Sequence, residues 1–183
     1  YASIGNDFHN LGALQLHVDG DSELAVISLE KAVKFRSQGF GKKHLKVADS
    51  LRLLAIAQRG AGKVEESLET AQSAYKTYSG TRDAADVDAP VYLMCLAETL
   101  SVLHYDEEAE THFLEVIRLE EELGGRLNPE LIGTFRSYQR HLERKNRTKE
   151  AKACETRIKE ISTRTPKSKL PKSFNVNVRV KDS

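Results

Sequence analysis

Along most of this chain the apolar side chains return every three or four residues instead of alternating, the spacing that gathers them on one face of a helix. Only 4 prolines and 11 glycines interrupt it. The pattern predicts helices at 3–18, 22–38, 45–60, 64–79, 89–103, 106–123, 129–144 and 148–162. The gaps between them suit antiparallel hairpins, so eight helices make four hairpins and the expected fold class is all-α.

A fixed period lies over this helical one. Ala25, Ser67, Ala109 and Ala151 stand 42 residues apart, followed seven residues later by Ala32, Ala74, Val116 and Ile158. Four residues after the first set come Leu29, Ala71, Phe113 and Glu155, and five before it come Gly20, Gly62, His104 and Asn146. Small residues let helices lie close together, and glycine or asparagine in a turn tolerates positive φ. A period of this length describes stacked hairpins that cannot fold singly. The first unit carries one extra residue between Leu11 and Gly20, and the fourth has Tyr138 and Gln139 where leucine and a small residue are expected. Both departures suggest loosely packed or altered ends.

Asn10-Leu11-Gly12, Leu54-Ala55 and Leu96-Ala97 before the turns, and Ala-x6-Ala after them, resemble the tetratricopeptide repeat (TPR) over residues 5–161. The 42-residue period and the segment Phe40-Gly41-Lys42-Lys43-His44-Leu45-Lys46-Val47-Ala48 are similar to the repeats of kinesin light chains and nephrocystin-like proteins. The resemblance implies a right-handed α-solenoid of four TPR hairpins over residues 1–162, with units at about 5–40, 47–82, 89–124 and 131–162. It also implies a concave groove lined by one face of each first helix. Carried across, that face offers Asn6, His9, Ala13 and His17, then Asp49, Arg52, Ile56 and Arg59, then Val91, Met94, Glu98 and Ser101, and finally Gly133, Arg136, Arg140, Glu143 and Arg144.

Arg136, Arg140 and Arg144 are four apart, which stacks three guanidinium groups along one helical stripe. Like charges at that spacing cost stability unless they meet carboxylates or phosphates, for which arginine offers a planar fork of donors. The stripe fits either an acidic-peptide site or an ordinary solvated face. The resemblance does not extend to every specialised use of such repeats. The carboxylate clamp for chaperone tails is missing, with His9, Ala13, Leu53, Val91 and Cys95 at its positions. The asparagine ladder of kinesin light chains keeps Asn10 alone.

Charge and composition narrow the remaining classes. With 28 basic and 27 acidic residues the formal charge is +1, so no global field collects nucleic acid or an anionic membrane. No apolar run approaches the roughly 20 residues of a membrane span. Cys95 and Cys154 make no disulfide framework, which favours an intracellular and cytoplasmic site, with an organelle interior left open because the chain starts at Tyr1. Gly60-Ala61-Gly62-Lys63 lacks the first glycine and the Ser/Thr of a phosphate loop, so it reads as a hairpin turn. The six histidines form no metal-ligand spacing and read as surface or turn residues. Asn146-Arg147-Thr148 reads as a turn followed by a capping threonine. No enzyme, cofactor or metal is expected.

After residue 162 the composition changes. Residues 163–183 contain Pro166 and Pro171 and carry +5, leaving −4 on the rest. Phe174, Val176, Val178 and Val180 alternate with polar residues, the period-two pattern of a strand at 174–180 in an otherwise non-helical tail. The segment fits addition to a partner's sheet, a cap on the last repeat, or a basic localisation signal. Two functions are expected of the whole: a module binding an acidic or amphipathic peptide in its groove as adaptor or regulator, or an architectural subunit held through tail and convex face. The expected partner is a protein or peptide, without specific nucleic acid.

Overall fold

The computed structural model describes residues 1–81 and 86–165. Eight α-helices follow one another: α1 (Ala2–Leu14), α2 (Ser22–Phe40), α3 (Leu45–Gly60), α4 (Val64–Ser79), α5 (Ala89–Val102), α6 (Asp106–Gly124), α7 (Leu131–Arg144) and α8 (Thr148–Arg164). They pair in sequence as four hairpins and stack into an α-solenoid, as the spacing predicts. The last helix runs two residues beyond the expected end of the array. Phe174, Val176, Val178 and Val180, with the strand expected at 174–180, lie outside the described residues.

The period becomes visible at the turns. Gly20 (φ 67°), Gly62 (φ 81°), His104 (φ 62°) and Asn146 (φ 56°) all take the left-handed conformation, so each hairpin reverses at the same register. The extra residue of the first unit is absorbed just before this point. Gln15–Asp19 continues α1 as a π-turn, and the Gly20 N–H reaches back five residues to the Gln15 carbonyl. One wider turn takes up the insertion and leaves the following register intact. Asp21 then starts α2 by accepting from the Leu24 N–H at 3.0 Å.

Within hairpins the small column sets the helix separation. Ala25, Ser67, Ala109 and Ala151 are all buried, and Ser67 Oγ donates to the Ala55 carbonyl at 2.8 Å, which satisfies its hydroxyl. In the first hairpin the approach is closer still. A Cβ at Gly12 would lie 2.5 Å from Leu29 Cγ, and one at Gly5 2.7 Å from the Arg36 nitrogen.

Between hairpins the packing changes along the array. The first junction joins Val26 and Leu29 to Leu53, Leu54 and Ala57. The last is filled by Phe113, Leu131, Phe135, Tyr138 and Leu142, whose larger side chains hold α6 and α7 further apart. Tyr138 is therefore well packed rather than loose: it is buried, its ring is 5.4 Å from Phe113, and its hydroxyl donates to Glu110 at 2.7 Å. Thr148 does not cap α8. Arg147 occupies the capping position and holds that end by pairing with Glu110 and Glu150. Both cysteines are buried and free, and burial pushes the Cys154 thiol up to about 11.

Candidate functional site

The four first helices, α1, α3, α5 and α7, lie side by side, and the candidate residues fall on or beside a ladder of polar contacts between them. The ladder begins at Arg36, a buried arginine from α2. Its guanidinium donates to Asn6 Oδ1 (3.1 Å), the Lys46 carbonyl (2.8 Å) and Ser50 Oγ (2.9 Å). Ser50 also meets His9 Nδ1 at 3.2 Å. Burial, with Arg36 adding to it, lowers the His9 pKa to about 4, so this imidazole is neutral at pH 7. His17, further along, is exposed.

The second rung joins α3 to α5. The Tyr92 hydroxyl donates to Asp49 at 2.7 Å, while its ring stacks on Tyr78 with centroids 4.4 Å apart. Burial and the Asp49 hydrogen bond push the phenol pKa up. The Arg52 guanidinium lies over the Tyr92 ring, 5.9 Å from its centroid.

The third rung centres on Glu98. It pairs with Arg59 at 2.5 Å, accepts from Ser137 Oγ at 2.6 Å, and has Arg140 at 3.9 Å. Arg59 also donates to Thr99 Oγ1 at 3.0 Å. At the fourth, Arg144 donates to Ser101 Oγ (2.8 Å), lies 3.3 Å from His141 Nδ1 and 3.6 Å from Asp106. Ser101 Oγ is itself 2.9 Å from His141 Nδ1. Because arginine can only donate, Nδ1 is best assigned as the acceptor and Nε2 as the protonated nitrogen of a neutral ring. Burial, then Arg144, lowers the His141 pKa.

His141 corrects the expectation that all six histidines sit at the surface or in turns: it is fully buried, packed by Phe113 and Tyr138 and bonded to Ser101. Among the described residues no group hydrogen-bonds its Nε2, so there this Ser–His contact lacks the third member of a nucleophilic triad. Among the described residues no group of three or more His, Cys, Asp or Glu side chains is placed to hold a metal ion.

The five arginines thus divide. Arg59 and Arg140 share Glu98, and Arg144 faces Asp106, which Lys145 also contacts at 2.5 Å. Arg52 and Arg136 have no carboxylate within ion-pair distance among the described residues. The apolar members are graded as well: Ile56 and Met94 are half-buried against the core, and Val91 is exposed. Sequence reasoning passed over Ser50, Tyr92, Thr99, Ser137 and His141. Their signal is a partner roughly one period away, as Asp49 and Tyr92 are 43 apart and Glu98 and Ser137 39 apart.

The comparisons with known proteins agree with this architecture. Residues 8–79 match the tetratricopeptide repeat family. The chain is similar to a solved putative kinesin light chain of Podosopora anserina with nearly identical TPR-like repeats. Identity is 19% and the TM-score 0.74, over 93% of this chain and 81% of that one. A point variant of the same protein matches at 19% identity and a TM-score of 0.72, over 91% and 78%. Among curated proteins none matches. Residues 8–79 are thus TPR-like in sequence, and the chain as a whole has the α-solenoid fold found in those kinesin light chain repeats. Such a repeat fold supports protein–protein interaction in general, and among the described residues no helix is long and apolar enough to cross a membrane.

Proposed function

We propose that the ladder face of α1, α3, α5 and α7 is a concave groove that holds an acidic or amphipathic peptide segment of a protein partner, making this chain an adaptor or regulator. The observation that carries this reading is the division among the arginines. Arg59, Arg140 and Arg144 are already matched by Glu98 and Asp106, so they fix the spacing of neighbouring repeats. Arg52, four residues before the half-buried Ile56 on α3, and the exposed Arg136 on α7 have no carboxylate within ion-pair distance among the described residues. A guanidinium held over an aromatic ring with its fork still open is suited to an incoming carboxylate.

Selection from a displayed peptide library against the intact chain tests the proposal. Acidic sequences with one or two aliphatic residues should be enriched, and enrichment should vanish with Arg52→Glu/Arg136→Glu. It should persist with Arg118→Glu, which alters an exposed arginine of α6 paired to Glu115 and Glu122. Enrichment indifferent to Arg52 and Arg136 would overturn the reading.

A further inference from the structure

The repeat that spaces the turns also aligns one column of side chains across the first helices. Arg52 on α3, Met94 on α5 and Arg136 on α7 stand 42 residues apart, so they take the same place in three consecutive hairpins. Arg52 and Met94 are half-buried and Arg136 is exposed. Counted across the inserted residue, His9 holds this place on α1. It is neutral at pH 7 and bonded to Ser50, so the charged part of the column begins at Arg52.

Both arginines keep open donors. The Arg52 guanidinium lies over the Tyr92 ring, and its buried Nε has no hydrogen-bond partner among the described residues. The acidic side chains nearest the column are engaged elsewhere: Asp49 accepts from Tyr92, Glu98 from Arg59 and Ser137, and Glu143 from Gln139. Asp88 and Glu130, both exposed, lie beyond the column at the starts of α5 and α7, in register with Lys46 of α3. Positive and negative charge are thus nearly balanced over the face as a whole. What sets the column apart is order, with a cation, an apolar side chain and a second cation at equal steps.

The size of the step selects a backbone conformation. α3, α5 and α7 are neighbours, and packed helices lie about 8–10 Å apart axis to axis. A β-strand returns a side chain to the same face every two residues, after about 6.6 Å, which falls short of that step. An α-helix returns one after seven residues, or about 10.5 Å, which overshoots it. Polyproline II returns every third residue after about 9.3 Å and matches.

We infer that this column reads a polyproline II segment of a protein partner that carries an acidic, an aliphatic and a second acidic residue, each three positions from the last. The inference rests on the groove reading above and adds the partner's conformation and spacing. Each carboxylate meets one guanidinium fork, and the aliphatic side chain meets Met94, whose flexible thioether adapts to its shape. Because the column is symmetric about Met94, the segment satisfies it in either chain direction. A segment already extended also loses little freedom on binding.

The probe is a fluorescent, end-capped heptapeptide with aspartate first and seventh, leucine fourth, and alanine and proline between. Anisotropy titrations against the intact chain compare it with isomers of the same composition in which one or both aspartates move a residue inward. A longer helical peptide with the same three residues seven apart completes the set. The parent should bind saturably and at least about fivefold more tightly than every isomer. That preference should vanish in Arg136→Glu, whose exposed side chain leaves the circular dichroism unchanged, and changing one aspartate of the peptide to lysine should restore binding to this variant. The comparison among peptides needs no altered protein, so it stands even where a variant misfolds.

Isomers that bind as tightly as the parent, all weakened by Arg52→Glu/Arg136→Glu, would overturn the spacing and leave the acidic-peptide groove standing. Tighter binding of the helical peptide would overturn the polyproline II conformation. Absence of saturable binding by the whole set up to about 1 mM, while a library-selected acidic peptide still binds, would also overturn the inference alone. If that selected peptide binds without regard to Arg52 and Arg136, both readings fall together.

Discussion

The first and the last hairpin differ in both packing and outer surface. The first hairpin is closely packed internally, with Gly12 against Leu29 and Gly5 against Arg36, while its outer face displays Ile4, Leu11, Leu14 and Val18. The last hairpin is built from larger side chains, including Phe135, Tyr138 and Leu142, and its second helix turns Lys152, Glu155 and Lys159 outward. In a stack where stability is shared between neighbours, the same repeat motif can therefore turn apolar or polar side chains outward, depending on a few residues per helix.

The largest expected effect lies at the last junction. Phe113 joins α6 to Tyr138 and His141, so Phe113→Ala should cost about 3–5 kcal/mol in thermal or denaturant unfolding. Leu11→Ala, in the first hairpin, should stay within about 0.5 kcal/mol although it removes a larger fraction of exposed apolar surface. Comparable losses at both positions would mean that the first face is already covered.

Overpacking should reverse the ranking of the ends. Gly12→Val drives a side chain into Leu29 and should cost about 1–3 kcal/mol. At the matching position of the last hairpin, Gln139→Ala removes a half-buried side chain bonded only to Glu143 and should be nearly neutral.

Acid separates two particular groups with opposite sign. His9 has a folded pKa of about 4 against an ordinary 6.5, so its contribution is complete above 6.5 and is lost as pH falls toward 4. Glu120, half-buried in α6 and accepting from Thr134 at 2.8 Å, is raised to about 7 by desolvation. Its contribution is complete below about 4.5 and is lost as pH rises through 7. Stability measured from pH 4.5 to 7 should therefore fall less on acidification in His9→Asn than in the native chain, and fall more in Glu120→Gln. Parallel curves for all three proteins would contradict the assignments. The smallest effect belongs to the outer face of α2: Leu24→Glu/Ile27→Glu should leave stability within about 0.5 kcal/mol per residue.

Much of this contrast could be read before any coordinates. The 42-residue columns gave the helices and the turn register at Gly20, Gly62, His104 and Asn146, because a repeat must place equivalent atoms in equivalent surroundings. The added residue before Gly20 was legible as an insertion but not as a π-turn, since hydrogen-bond pitch leaves no compositional trace. The rungs of the ladder were least legible. Tyr92 to Asp49 and Ser137 to Glu98 depend on how far one repeat advances over the last, a rigid-body quantity set by Phe113 and its neighbours. His141 was misread for the same reason: alone it looks like one more polar residue on a helix, and only Ser101 from the preceding repeat gives it a partner.

The central claim is that Arg52 and Arg136 read negative charge while Arg59, Arg140 and Arg144 space the repeats. Titration of one selected acidic peptide against the native chain, Arg52→Glu/Arg136→Glu and Arg59→Gln, with melting curves of each, tests it most directly. The account predicts that the first variant loses binding at an unchanged melting temperature, whereas Arg59→Gln melts earlier because Glu98 and Thr99 lose their partner. Undiminished peptide binding by Arg52→Glu/Arg136→Glu would contradict it.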